Sequence, residues 1–118
     1  MKNSGNVIPV QLRELCRAIC AIVHANINED AFFHQSELKT RIPVFRKSAF
    51  SDNGVRCELE QGNVNIKVFV NAMLGEHSIY HNAMDLQRRI AEEIILYTSF
   101  LPKKIDVIIT GVKAKKTQ

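Results

Sequence analysis

From Pro9 to Ala25 the apolar residues Leu12, Leu15, Cys16, Ile19, Ile22 and Val23 recur at intervals of three and four, the stripe of an amphipathic helix. Pro9 suits its first turn, where a proline gives up only an amide the helix could not use, and Asn26 is the expected stop. Residues 28–50 have no such period. Phe32, Phe33, Val44, Phe45 and Phe50 are scattered among polar residues and Pro43 interrupts the best strand, so the segment reads as an irregular connection or an edge strand anchored by its phenylalanines. After Asn53 the period becomes two: Val55, Cys57 and Leu59 alternate with Arg56, Glu58 and Glu60, and Val64, Ile66, Val68 and Val70 alternate with Asn65, Lys67 and Phe69. Gln61, Gly62 and Asn63 supply a hairpin turn, with Gly62 or Asn63 taking positive φ. Ser78 is the expected N-cap of a second helix whose stripe is Ala83, Leu86, Ile90, Ile94 and Tyr97, and Pro102 ends it. Ile105, Val107 and Ile109, with Ile108 on the opposite face, predict a final strand closed by Gly111.

A strand, a helix and a second strand in this order form a right-handed crossover with the two strands parallel. The first helix has an apolar stripe to bury and must join the second on the same side of the sheet. The expectation is an α+β two-layer sandwich: a β-hairpin, a crossover helix and a final strand (ββαβ), with the N-terminal amphipathic helix packed on the sheet. A chain of 118 residues fits one domain, residues 1–112, followed by a basic tail, residues 113–118. The net charge is +4, but Lys113, Lys115 and Lys116 lie in that tail and leave the body at +1, so the tail is read first as a solubility device. The three cysteines are an odd number without framework spacing, which predicts reduced thiols and a cytoplasmic location. No apolar stretch approaches the roughly 20 residues of a membrane span and the amino terminus lacks a signal-peptide pattern, so membrane association is expected only at the periphery or through a partner.

Several segments together carry a likeness: Gly54-Val55 opening the first hairpin strand, the alternating Val64-Asn-Ile-Lys-Val-Phe-Val70, and Gly75 and Ile79 leading into Leu86-Gln-Arg-Arg-Ile90. Ile105-Asp-Val-Ile-Ile-Thr-Gly-Val112 completes it, with a looser match over Val10 to Ala25. In these segments the chain resembles the alkaline shock protein family, small envelope-stress proteins of Gram-positive bacteria. The resemblance covers about two-thirds of the chain, Gln87 being its most distinctive residue, and consists mostly of a fold pattern. It implies a bacterial stress-response scaffold without catalytic residues, which forms homo-oligomers and docks on a membrane-anchored partner protein near the envelope.

Candidate chemistry is sparse. Cys16, Cys20 and His24 recur every four residues and are of zinc-binding type, yet three ligands on one helix do not close a tetrahedron, and the two thiols lie in the apolar stripe, so core packing is preferred. His77 and His81 share that spacing and read as a solvated helix end. The sequence offers no nucleophile motif, phosphate loop or paired carboxylates, and the expectation is a protein with no catalytic residue, metal or cofactor. For docking, the expected partner-binding residues are Phe69 and Lys67 on the open sheet face and Arg88 and Arg89 on the second helix, since an apolar residue flanked by arginine is the usual profile of an interface anchor. Cover of Phe69 by residues 28–50 is the competing reading. The alternative function is a small RNA- or ribosome-binding domain, with Phe69 stacking a base and Lys67, Arg46, Lys47, Lys103 and Lys104 holding phosphate.

Overall fold

In the computed structural model, residues 10–36, 49–60 and 62–114 are described. Two helices, α1 (Val10–Glu29) and α2 (Ile79–Thr98), cover one side of a five-stranded sheet made of β1 (Phe33–Gln35), β2 (Ala49–Asp52), β3 (Val55–Glu60), β4 (Asn63–Met73) and β5 (Lys104–Lys113). The α+β two-layer architecture expected from the periodicities is present. Pro9, Pro43, Val44, Phe45, Arg46, Lys47, Gln61, Lys115 and Lys116, each given a role above, lie outside the described residues.

β4 organises the sheet. Its eleven residues pair in parallel with β5 along one edge, from Asn65 opposite Lys104 to Met73 opposite Lys113. Along its other edge it pairs antiparallel first with β3 and then with β1. The handover falls at Phe69, whose amide donates to the Gly54 carbonyl at 2.8 Å while its own carbonyl accepts from Ser36 at 3.2 Å. β2 closes the far edge against β3. β4 and β5 pair in parallel across α2, as the strand–helix–strand order predicts.

The alternation read in β3 and β4 is the burial pattern. Val55, Cys57, Val64, Ile66, Val68 and Val70 face the helices and meet Cys16, Ile19, Cys20 and Val23 of α1 and Leu86, Ile90 and Ile94 of α2 in one buried cluster. The β3–β4 turn forms where expected, with Gly62 at φ 82°. Ser78 caps α2, its hydroxyl accepting from the His81 amide at 3.0 Å.

Of the two readings of residues 28–50, the edge strand is present where the residues are described: Phe33, fully buried, opens β1, and Phe50 lies in β2, each strand pairing on one side only. Other expectations need correction. The sheet gains a second hairpin at Asn53-Gly54, where φ values of 46° and 87° make a turn with both central residues left-handed, the type that matches strand twist. Asn26 does not stop α1. Its amide donates to the Ile22 carbonyl at 3.0 Å and to Glu93 Oε1 on α2 at 2.9 Å, so a buried polar group is satisfied inside a helix that continues to Glu29. Tyr97 lies on the expected stripe of α2 but is exposed, and the helix ends before Pro102, at Ser99, whose left-handed backbone (φ 59°) sends its amide to the Ile95 carbonyl. β5 continues through Gly111 to Lys113, whose carbonyl accepts from Leu74 at 3.0 Å.

Candidate docking site

The outward side of α2 is unusually apolar. Helical periodicity puts Tyr80, Met84, Ala91 and Ile95 on one stripe, offset from the stripe that faces the sheet. Tyr80 is 75% exposed, Met84 and Ile95 are exposed with it, and Leu96 and Tyr97 are exposed on other sides of the last turn. In the loop that follows, Leu101 is 68% exposed. Between this stripe, that loop and the start of β5 runs a groove of about 560 Å³. Met84, Ala91, Leu101 and Pro102 supply its apolar surface, and His81, Asp85, Arg88, Lys103 and Lys104 supply its polar lining. The Gln87 side-chain amide donates to the Ile105 carbonyl and pins α2 to the first residues of β5.

Lys103 and Lys104 bring positive charge to the groove where β5 begins, and Asp85 on its α2 side brings negative charge. Arg88 is committed to its own helix, with Nη2 2.6 Å from Asp85 Oδ1 and Nη1 3.1 Å from Glu92 Oε1. Those bonds hold the Asp85 carboxyl below the usual carboxylate range, the Arg88 bond contributing most and Arg89 adding to it. Lys103 and Lys104 extend into solvent from the loop, and Lys104 is held only loosely, 3.8 Å from Asp106 Oδ2. Beyond them the outer edge of β5 is paired with no strand among the described residues.

The four residues expected to bind a partner do not share a surface. Lys67 and Phe69 alternate with the buried Ile66, Val68 and Val70, so they lie on the side of the sheet away from the helices, whereas Arg88 and Arg89 lie on α2. Phe69 is half-buried. The guanidinium carbon of Arg56 sits 5.7 Å from the centre of its ring, a cation–π arrangement. Arg56 and Lys67 stand directly opposite each other on β3 and β4, and Glu58 offsets their repulsion, at 3.1 Å from Arg56 Nη1 and 3.6 Å from Lys67 Nζ. The ring that a base would have to stack on is therefore already beneath a cation. Arg89 has a folding role: its guanidinium pairs with Asp30, whose side chain is 5% exposed and also accepts from the Phe32 amide at 2.7 Å, and with Asp85 at 3.2 Å. It ties the end of α1 to α2.

No protein-family model, curated protein or solved structure matches the chain. The remaining candidate chemistry is internal. Cys16 and Cys20 are buried, and the third group beside them is Cys57 of β3, not His24. Hydrogen bonding among the three thiols pushes Cys57 up and Cys16 down from their ordinary values. His24 turns instead toward β2, with Nε2 3.2 Å from the Asp52 carbonyl. Among the described residues no group of three or more His, Cys, Asp or Glu is arranged to hold a metal ion. His77 and His81 are exposed, their rings 4.8 Å apart at the start of α2. No described helix is long and apolar enough to cross a membrane.

Sequence reasoning passed over Met84, Ala91 and Leu101. The signal was there: two apolar stripes in α2, of which a two-layer fold can bury only one.

Proposed function

We propose that this protein is a non-catalytic docking module that attaches to a partner protein near the cell envelope, and self-associates, using the side of the molecule formed by α2 and the loop into β5. One observation carries this reading. Tyr80, Met84 and Ile95 are large apolar side chains exposed on one stripe of α2, and Leu101 is exposed in its exit loop, while scattered single exposures are the rule on a surface with no partner. The charges around them fit an interface rim, since Arg88, Asp85 and Glu92 satisfy one another and leave the apolar row as the adhesive element. The location near the envelope, and a partner anchored there, come from the likeness of the segments between Gly54 and Val112 to the alkaline shock proteins.

Site-specific photo-crosslinking in cells tests the reading. A photoreactive phenylalanine analogue in place of Tyr80 or Leu96 is expected to give discrete protein adducts that sediment with membranes. The same analogue in place of Ser51, exposed on β2 at the far edge of the sheet, is expected to give none. Adducts from Ser51 alone, or none from either α2 position, would overturn it.

A further inference from the structure

We propose that the groove between α2 and β5 takes an extended segment of the partner protein, which adds to the outer edge of β5 as an antiparallel strand and carries acidic and apolar residues at its carboxyl end. The inference rests on the docking reading above and names the chemistry of the partner. Three features meet here. β5 is ten residues long and contributes Ile105, Val107, Ile108 and Ile109, and an apolar edge strand of that length is a ready template for another strand. Its outer edge is roofed at one end by α2, so a strand laid along it has a groove for its alternate side chains. That combination, main-chain bonds for affinity and a pocket for side-chain selection, is how strand-adding peptide sites work. The volume of about 560 Å³ lies within the roughly 300–1,000 Å³ of ligand sites generally.

Antiparallel pairing, the commoner kind, sets which end of the segment enters the groove. The groove lies where β5 begins, at Ile105, so an antiparallel strand reaches it with its last residues. A leucine, valine or phenylalanine there meets Met84, Ala91, Leu101 and Pro102, and a carboxylate beside it, from a side chain or the chain terminus, meets Lys103 and Lys104.

Selection from a library of random peptides displayed with free carboxyl termini, against the full chain, tests the inference. Peptides ending in an acidic and an aliphatic or aromatic residue are expected, and amide chemical-shift mapping is expected to place them along β5 and against Met84 and Ala91. The double change Lys103→Glu, Lys104→Glu alters exposed side chains only; it is expected to weaken the selected peptides by about tenfold or more and, used as bait, to abolish the acidic preference. Basic or featureless selected sequences, a footprint elsewhere, or a β5-mediated homodimer in light scattering would overturn it. If Tyr80 and Leu96 still crosslink to a partner while the library yields nothing at β5, this inference fails and the docking reading stands, the partner then presenting a folded surface.

Discussion

The two sides of α2 contain nearly the same residues and do opposite things. Leu86, Ile90 and Ile94 face inward and are wholly buried against β4 and α1, whereas Met84, Ile95 and Leu96 face outward and are exposed. Composition cannot tell them apart; the number of layers does. A two-layer sandwich offers each helix one buried side, so apolar residues beyond that side stabilise the fold little and are available for association.

The comparison is broken most severely from inside. Ile90→Ala removes a fully buried side chain between two helices and a sheet, and is expected to cost about 2–5 kcal/mol of stability through lost burial and the cavity left behind. Met84→Asp on the outward side is expected to shift stability by no more than about 0.5 kcal/mol while removing crosslinks to the partner. Urea denaturation of both variants checks this. Comparable losses would mean that the outward stripe is already covered within the fold, and the distinction between the sides would be lost.

A smaller effect is expected at the polar seam between the helices. Asn26, 3% exposed, donates to Glu93 across that seam, and Asn26→Ala is expected to cost about 1–3 kcal/mol because the partner acceptor is left half-buried. A double-mutant cycle with Glu93→Ala is expected to show coupling of about 0.5–3 kcal/mol. Additive losses would reduce Asn26 to a helix residue with no cross-helix role.

The same seam explains what the sequence could and could not reveal. Strands β3 and β4, their turn at Gly62 and the cap at Ser78 follow from period and local chemistry, and all are present. Asn26 misleads because asparagine's preference for helix ends is weak and is overridden here by the bond of its amide to Glu93, 67 residues away. β1 escapes detection since three residues cannot show a period; Phe33 is held by pairing with the far end of β4, at Ala72. The Asn53-Gly54 turn is a strong local hairpin signal, obscured because β2 before it contributes only Phe50 to the core and shows no alternation. At the site, the arginines and Phe69 were visible as residue types, and Asp85 stood at helical spacing from both arginines, but Asp30 and Arg56 are brought to Arg89 and Phe69 only by the fold. Lys103 and Lys104 gain meaning only once α2 and the edge of β5 are seen to enclose a groove.

The mildest test concerns the charges on the outward side. The Asp85 carboxylate accepts from Arg88 and Arg89 and titrates below its ordinary range in the folded chain. A depressed folded value stabilises the fold above the unfolded pKa of roughly 3.9, and that contribution disappears as pH falls through the folded value. The Asp85 side chain is nearly half exposed, and solvent screens the pair, so acidification through this window is expected to change stability only slightly. Carboxyl-carbon NMR titration is expected to give Asp85 a midpoint below roughly 3.9. Arg88→Gln is expected to raise that midpoint without restoring it fully, since the Arg89 bond remains. A midpoint unmoved by Arg88→Gln would mean that Arg88 is not spent on Asp85. The groove rim would then present Arg88 as well as Lys103 and Lys104, and the demand on a partner segment would shift toward more acidic residues.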